Sequence, residues 1–561
     1  MKIPQIIECV PNFSEGRNLA KINEITRVIE TVPGVKLLHT DPGKSTNRTV
    51  VTFAGSPKAV IDAAFLAIQK AAELIDMATH KGEHPRMGAT DVCPLIPISG
   101  ITMEETVKWA KILAERVGKE LHIPVFLYEA AASAPYRSNL ADIRTGEYEG
   151  LAEKMQDPRW KPDFGPHLFQ EKCGATVIGA RDFLIAYNVN LNTKSTSLAN
   201  EVAFDIRYNG RPKRNTETGK LEKDNEGNVI RIPGTCPGVK AIGWYIDEYK
   251  LAQVSMNLTD MKQTNLHQAY EACANSAISR GMHVTGSELV GLIPLHSMLE
   301  AGRYFLQKQG RSLGVPDSEL IETAVQSLGL NAVAPFHPQE RIIEYMLQQK
   351  QQPLIGLNLR QYIYETAADS PAPGGGSASA YLGALGAALG TMVANLSAHK
   401  KGYEADHDFF SQEAQKGQAL CEGLLNLVDA DTEAFNEIMK ALRLPKNSPD
   451  EKKLRKKAIQ KATIQAIETP MNTIKLAYQC FDLIRKMALK GNPNSVSDAG
   501  VGLISAYAAM QGAALNVKIN VVGLENESKK QEFLVQTNEY MAKAQTEFPE
   551  IMKLVEQKIG L

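Results

Sequence analysis

Residues 49–98 read TVVTFAGSPKAVIDAAFLAIQKAAELIDMATHKGEHPRMGATDVCPLIPI. A short apolar, β-branched run (Thr49–Ala54) gives way, after Gly55, Ser56 and Pro57, to Lys58–Met77, whose apolar positions recur at helical spacing. A polar loop follows, then a second apolar run at Val92–Ile98. Run length, β-branching and period predict strand, helix, strand, the unit of an α/β layer fold. Between helix and strand, Gly82, Pro85 and Gly88 break any helix, yet the loop carries His80, Glu83, His84, Arg86 and Asp91. A buried helix or strand has no use for that mixture. A loop holding titratable groups against a ligand does.

The pattern extends in both directions. Strands are predicted at Gln5–Val10 and Val35–Thr40 with an amphipathic helix at Asn18–Glu30, so the first unit reads β-α-β-β-α-β. A further helix (Thr102–Leu121) and strand (Val125–Tyr128) follow. The same order recurs through Phe183–Leu191, Ser195–Arg207, Ala241–Asp247, Leu251–Leu258, Asn265–Arg280 and Leu289–Ile293, with a polar excursion, predicted to be a hairpin, at 208–234. Residues 318–346 read as helical and 348–354 as a linker. Beyond it, apolar positions keep helical spacing through 358–368, 376–398, 406–442, 449–490, 495–515 and 526–558, interrupted by Pro445, Pro470 and Pro493. The expected architecture is multidomain. Two α/β subdomains of the βαββαβ, ferredoxin-like type (1–181 and 182–347) have facing sheets, and an all-α helical bundle (355–561) follows.

Composition narrows the function classes. With 62 basic and 63 acidic residues the net charge is −1, which gives no electrostatic case for nucleic acid or an anionic membrane. Seven scattered cysteines without a Cys-x-x-Cys suit a reducing, cytoplasmic setting and argue against a disulfide framework or structural zinc. The opening MKIPQIIECVPNF has an early acid and no long apolar core, so no secretory signal is expected there. The uncharged stretch Ser370–Ser397 is rich in Gly, Ala and Ser, better suited to close helix packing than to spanning a membrane. No Gly-x-Gly-x-x-Gly or P-loop string occurs.

Several long strings are similar to the formiminotransferase-cyclodeaminase family, bifunctional folate enzymes of histidine breakdown. They are ECVPNFSEG (8–16), STNRTV (45–50), HKGEHPRMGA (80–89), PDFGP (162–166) and GARDFLIAYN (179–188) in the front half. In the back half they are APGGGS (372–377), LVDADTEAF (427–435), RLPKN (443–447) and NVKIN (516–520). The resemblance implies two steps. A formimino group passes from N-formimino-L-glutamate to N5 of tetrahydrofolate, the co-substrate, which is expected to be polyglutamylated. Ring closure then gives 5,10-methenyltetrahydrofolate and ammonia. It also implies a homo-oligomer with dimer contacts through the helical domain. The chain departs from mammalian members at His39, in the longer excursion 208–234, and at 491–502.

Carried onto this sequence, the resemblance makes His84 the catalytic acid–base of transfer, a role for which imidazole has the apt pKa. It favours Asp41 as a group that orients His84 or holds the pterin edge, although a turn-forming Asp before Pro is the plain alternative. Asp431 becomes the carboxyl that shuttles a proton in cyclisation. Asn12, Asn47, Arg48 and Arg86 are expected to contact substrate, Arg86 by a bidentate grip on a carboxylate. Gly165, Pro166, Gly174, Gly234, Thr235 and Cys236 fall at positions expected to touch folate. Gly375, Gly376 and Ser377 open a helix whose free N–H groups could bind an anion, and Asp498 lies in a Gly-rich turn of similar promise. His80 and His84 are four apart, a zinc-ligand spacing on a helix, but Gly82 and Pro85 break the helix, so no metal is expected. Two rivals remain open: a folate-binding scaffold with decayed sites, and an enzyme active only as the transferase.

Overall fold

The computed structural model describes residues 5–44, 47–82, 85–247, 249–347, 354–370 and 372–560. Two compact units emerge, Met1–Ala301 with Ala324–Gln349, and Gly302–Thr323 with Lys350–Leu561.

In the first unit, helices begin where the sequence supplies caps. Asn18 accepts from Ala20 N and Lys21 N to start Leu19–Glu30, Pro57 occupies the first turn of Pro57–Leu74, and Thr102 with Glu105 forms a capping box for Met103–Glu120. The larger sheet runs Val35–Gly43, Arg48–Gly55, a broken strand (Ile6–Cys9 and Asn12–Phe13), Thr90–Ser99, Thr176–Ala180 and Val125–Glu129. Its last two pairings are parallel. Ile7, Cys9, Val51 and Phe53 pack on the helices.

The smaller sheet is antiparallel throughout, in the order Val239–Ile246, Leu251–Leu258, Ile185–Leu191, Val284–Val290. Numbered within each repeat, the four strands of both run second, third, first, fourth. Tyr187, Val189 and Leu191 are fully buried on one face. The excursion contains a small hairpin, Arg211–Pro212 against Arg231–Ile232.

Three expectations are corrected here. Thr176–Ala180 is a strand that the sequence reading lacked; all five residues are buried, so no alternation announces it. The strand expected at Leu289–Ile293 lies earlier, at Val284–Val290, hidden by the polar Ser287 and Glu288. The continuous helix expected over 318–346 stops at Leu328, where Gly329 turns the chain with φ +65°.

The second unit is helical: Leu359–Ala367, Gly375–Ala398, His407–Leu442, Pro449–Lys490, Val496–Val521 and Glu527–Ile559. It also takes in 302–323, which the sequence reading left with the front half. That segment is tied down by Ser312 N–H to His399 Nε2 (2.9 Å), Ser312 Oγ to Asn395 Oδ1 (2.6 Å) and Leu313 N–H to Ser411 Oγ (3.0 Å). The expected linker falls almost wholly outside the described residues. Gly375–Ala398 is long and apolar enough to cross a membrane, yet 61% of its apolar window is buried inside this unit. Its small residues allow that packing: Gly386 lies against the backbone of Gly502 on Val496–Val521.

Candidate active sites

In the first unit the loop after Pro57–Leu74 is held by a charged knot around buried Arg86. All five of its N–H donors have protein acceptors. Nε donates to His80 Nδ1 (3.3 Å), Nη1 to Glu147 (3.0 Å) and Glu149 (2.8 Å), and Nη2 to Glu149 (2.6 Å) and the His80 carbonyl (3.3 Å). The expected grip of Arg86 on a substrate carboxylate is therefore corrected. The carboxylates it holds are the protein's own, and its work is to shape the loop.

His80 is likewise committed. Its Nε2–H donates to the Asn47 carbonyl (3.0 Å) while Nδ1 accepts from Arg86. A carbonyl only accepts and a guanidinium only donates, so the ring is held neutral in one tautomer. Burial pushes its pKa below the ordinary histidine value, with Arg86 adding to the effect and the Asn47 bond opposing it. Asn47, at φ +47°, accepts from Gly16 N–H (3.0 Å) and donates to the Lys81 carbonyl (2.9 Å), clamping two loops together.

Behind the knot lies a second charged group. Asp91 is fully buried, accepting from Met87 N–H (3.0 Å) and Arg144 Nε (3.3 Å), with Arg144 Nη2 on its other oxygen. Arg48 is half-buried. Burial lowers its pKa, the neighbouring Asp91 and Asp41 pull it back up, and Arg144 opposes them. Asp41 is exposed on the edge strand Val35–Gly43, opposite Val50, and Asn12 pairs with the same Val50 from the other side. The Asn12 side chain donates to the Val10 carbonyl (3.0 Å). Asn12, Asp41, Asn47, Arg48 and Arg86 are thus brought to one end of the larger sheet. His84 lies outside the described residues, between Gly82 and Pro85. Among the described residues no group of three His, Cys, Asp or Glu side chains is placed to hold a metal.

The 165–174 segment is stapled to this loop. Ala89 N–H donates to the Cys173 carbonyl (2.8 Å) and Ala175 N–H to the Met87 carbonyl (3.1 Å). Gly174 (φ +66°) is pressed so closely on Met87 and Gly88 that a Cβ would collide with backbone. Gly165, beside the half-buried Pro166, and Gly234 also abut protein backbone, at Ile123 and Arg207. The expectation that these three glycines admit a flat pterin is corrected: the close approach is to the chain itself. Thr235 N–H and Cys236 N–H donate to Asp205 and Ile206 carbonyls (2.8 and 2.9 Å), and Cys236 is buried.

The sequence reading placed Asp91 in the titratable loop but missed its partner Arg144, as well as Glu147, Glu149 and the polar face of the smaller sheet. There Gln253 Nε2 donates to Asn190 (2.6 Å) and Glu288 (3.1 Å), Asn188 to Glu288 (3.0 Å), and Trp244 Nε1 to Gln253 (3.0 Å). Period-two alternation of Asn188 and Asn190 with apolar residues was the available signal.

The helical unit holds a cavity of about 190 Å³ lined by Gly374, Gly375, Gly376, Asp431, Thr432, Phe435, Asn516 and Asn520 among others. Among the described residues that line it, Asp431 is the one ionisable group. Burial raises the Asp431 pKa above the ordinary carboxyl value, against two opposing bonds from the Ser377 hydroxyl (3.2 Å) and the Ser377 backbone. The Ser377 backbone N–H, in the first turn of Gly375–Ala398, thus bonds the Asp431 carboxyl. Asp429 points elsewhere, accepting from Leu354 N–H (3.0 Å).

Asp498 does not line this cavity. It sits in the first turn of Val496–Val521, eighteen residues before Asn516, or about 27 Å along a straight helix. Asn516 and Asn520 take its place. Their four-residue spacing on one helix face was the signal that could have found them.

Family models match the chain in three stretches: "Formiminotransferase domain, N-terminal subdomain" over residues 6–181, "Formiminotransferase domain" over 186–348, and "Formiminotransferase-cyclodeaminase" over 358–539. The chain is 41% identical over 559 residues to a formimidoyltransferase-cyclodeaminase of Dictyostelium discoideum, covering 99% of both. A glutamate formimidoyltransferase of Streptococcus pyogenes is 40% identical over 303 residues, 54% of this chain and 94% of that protein. A methenyltetrahydrofolate cyclohydrolase of Methylorubrum extorquens is 38% identical over 194 residues, 35% of this chain and 93% of that protein.

Proposed function

Because the chain belongs to the formimidoyltransferase-cyclodeaminase family along nearly its whole length, we propose that its two sites divide the two steps of that activity. It is a bifunctional folate enzyme of histidine degradation. The first unit transfers the formimino group from N-formimino-L-glutamate to N5 of tetrahydrofolate, and the helical unit cyclises the product to 5,10-methenyltetrahydrofolate with release of ammonia.

In transfer, His84 takes the N5 proton as N5 attacks the amidine carbon, then returns one to the departing glutamate nitrogen. Asn12, Asp41, Asn47 and Arg48 shape the surrounding site. The knot at Arg86 holds the loop that carries His84, and the stapled 165–174 segment with Gly234–Cys236 borders the folate. In cyclisation, Asp431 moves a proton from N10 to the nitrogen that leaves. The observation carrying this division is the Asp431 carboxyl, lining a cavity, with its pKa raised by burial above the ordinary carboxyl value.

Finer points belong to the same reading. The two βαββαβ units are ferredoxin-like and their sheets face one another, a reading supported by the buried polar side chains on the non-helical face of the smaller sheet. The folate is polyglutamylated, the chemistry needs no metal, and the enzyme is a cytoplasmic homo-oligomer paired through its helical domain. Exposed Leu515 and Ile519 on Val496–Val521, with exposed Val522 at its C-cap, support that pairing.

The test supplies formiminoglutamate and tetrahydrofolate and follows methenyltetrahydrofolate absorbance together with ammonia. His84→Ala should lose transfer, by roughly 10²–10⁴-fold, yet cyclise supplied 5-formiminotetrahydrofolate. Asp431→Asn should transfer but accumulate that intermediate. The Methylorubrum relative favours a second reading of the helical half, as a hydrolase of methenyltetrahydrofolate. Loss of added methenyltetrahydrofolate on incubation with the enzyme, and retention of its Asp431 dependence, would decide for it.

A further inference from the structure

Asn516 and Asn520 lie one turn apart on Val496–Val521 and line the same small cavity as Asp431. Both amide nitrogens are already engaged. Asn516 Nδ2–H donates to the Gly512 carbonyl at 2.9 Å and Asn520 Nδ2–H to the Ala466 carbonyl at 2.8 Å. A carbonyl can only accept, so each partner dictates which end of the amide is nitrogen. Each Nδ2 keeps a second N–H, and each side chain keeps its carbonyl oxygen to offer a ligand. Among the described residues lining the cavity there is no lysine, arginine or histidine. A cavity of about 190 Å³ suits the reacting end of a folate, not the whole molecule.

We propose that Asn516 and Asn520 bind the formimino nitrogen through their amide oxygens, and thereby make the helical site select formimino over its formyl isostere. The proposal rests on the cyclodeaminase reading of this half and adds the substrate-discriminating residues to it. Formimino and formyl groups have nearly the same size and shape. They differ in that =NH₂⁺ presents two N–H donors where =O presents only lone pairs. The amide oxygens and the carboxyl can accept from both N–H groups of the first, whereas the second brings them no donor and leaves those acceptors unpaired.

The same contacts serve the reaction. The N10 lone pair forms the N10–C bond, and the C=N π pair moves onto the formimino nitrogen, leaving an NH₂ on a tetrahedral carbon. Asp431 takes the N10 proton and delivers it to that nitrogen, which becomes NH₃⁺. The C–N bond then breaks with its electron pair leaving on ammonia, while the N5 lone pair forms the C=N5 bond of the methenyl cation. Charge is +1 before and after. Positive charge grows on the nitrogen facing Asn516 and Asn520 as it takes the proton, so fixed carbonyl dipoles there favour the protonation that makes it a leaving group.

The test uses the full chain, with 5-formiminotetrahydrofolate as substrate and 5-formyltetrahydrofolate as inhibitor of its cyclisation. Asn516→Ala and Asn520→Ala should each lower kcat/KM for cyclisation roughly 10- to 100-fold, while the Ki of the formyl compound stays unchanged or falls. Asn520→Asp, which keeps an acceptor oxygen, should retain more selectivity than Asn520→Ala. Transferase activity in the same preparations reports an intact chain. Equal weakening of both ligands, unchanged cyclisation, or a less selective Asp variant than Ala variant would overturn the proposal. A wild-type chain that does not cyclise at all would instead overturn the cyclodeaminase reading.

Discussion

Gly376 lies against the Asp431 carboxyl so closely that a Cβ on the glycine would occupy the space of the carboxyl carbon and oxygens. The glycine is what lets the first turn of Gly375–Ala398 come within hydrogen-bonding reach of the carboxyl, which takes a bond from the Ser377 backbone. Gly376→Ala should push the carboxyl out of register and lower cyclisation by about 10²–10⁴-fold, the range for losing an acid–base group. Alanine is the better helix former by about 1 kcal/mol, so thermal stability should hold near wild type. A Tm measurement beside the two activity assays checks both halves of the expectation.

Ser377 opposes the effect of burial on the same carboxyl. Burial raises the Asp431 pKa, and the bonds from Ser377 restrain that rise. Ser377→Ala removes the hydroxyl bond and leaves the backbone one, so the pKa should climb further. Cyclisation needs the carboxylate to accept the N10 proton, so the acid limb of the pH–kcat/KM profile should move to higher pH. A limb that stays in place, or moves to lower pH, would assign it to another group.

Arg86 tests the transferase loop without altering the proposed acid–base itself. Arg86→Lys keeps the charge but cannot reproduce five donors in a fork. Because His80 is held by Arg86 on one side and Asn47 on the other, the loop should loosen, and transfer should fall by roughly 10- to 100-fold, an effect typical of small misplacements near reacting groups. Glu149→Gln should be much milder, within about 1 kcal/mol, since that carboxyl is 64% exposed and Glu147 remains on the same guanidinium. Steady-state transferase kinetics on both variants, with cyclisation as the internal control, separate the two cases.

How far the sequence could be read depended on whether the information was local. The long back helices were legible because 3.6-residue periodicity persists between Pro445, Ser448 and Pro493, and even Pro470 sits inside Pro449–Lys490 without ending it. Thr176–Ala180 was not, since a strand buried on both faces carries no alternation. The loop at 80–91 stood out by composition. Its meaning for Arg86 did not, because Glu147 and Glu149 lie 61 and 63 residues away in the chain. Asp498 looked apt as an acid in a Gly-rich turn, but the unbroken helix Val496–Val521 carries the cavity-lining face to Asn516 and Asn520 at its far end. The string NVKIN at 516–520 marked that end, but its two asparagines were not singled out as site residues.

Glu8 yields a prediction about stability. It is buried on the strand Ile6–Cys9, and burial raises its pKa to about 8 from 4.5, against the attraction of Arg181 and with a further push from Glu344. The native state therefore keeps a proton that the unfolded chain releases between those two values. Where the native state binds more protons than the unfolded one, stability falls as pH rises. Glu8 should thus cost nothing below about pH 4.5, cost progressively more up to about pH 8, and level off above it, a loss on the order of a few kcal/mol across that window. Glu8→Gln mimics the protonated side chain and carries no such penalty. The variant should unfold near the wild-type midpoint at pH 5 and at a clearly higher urea concentration at pH 8. Equal midpoints for the two proteins at both pH values would mean that Glu8 titrates normally in the folded protein, with Arg181 compensating fully for its burial.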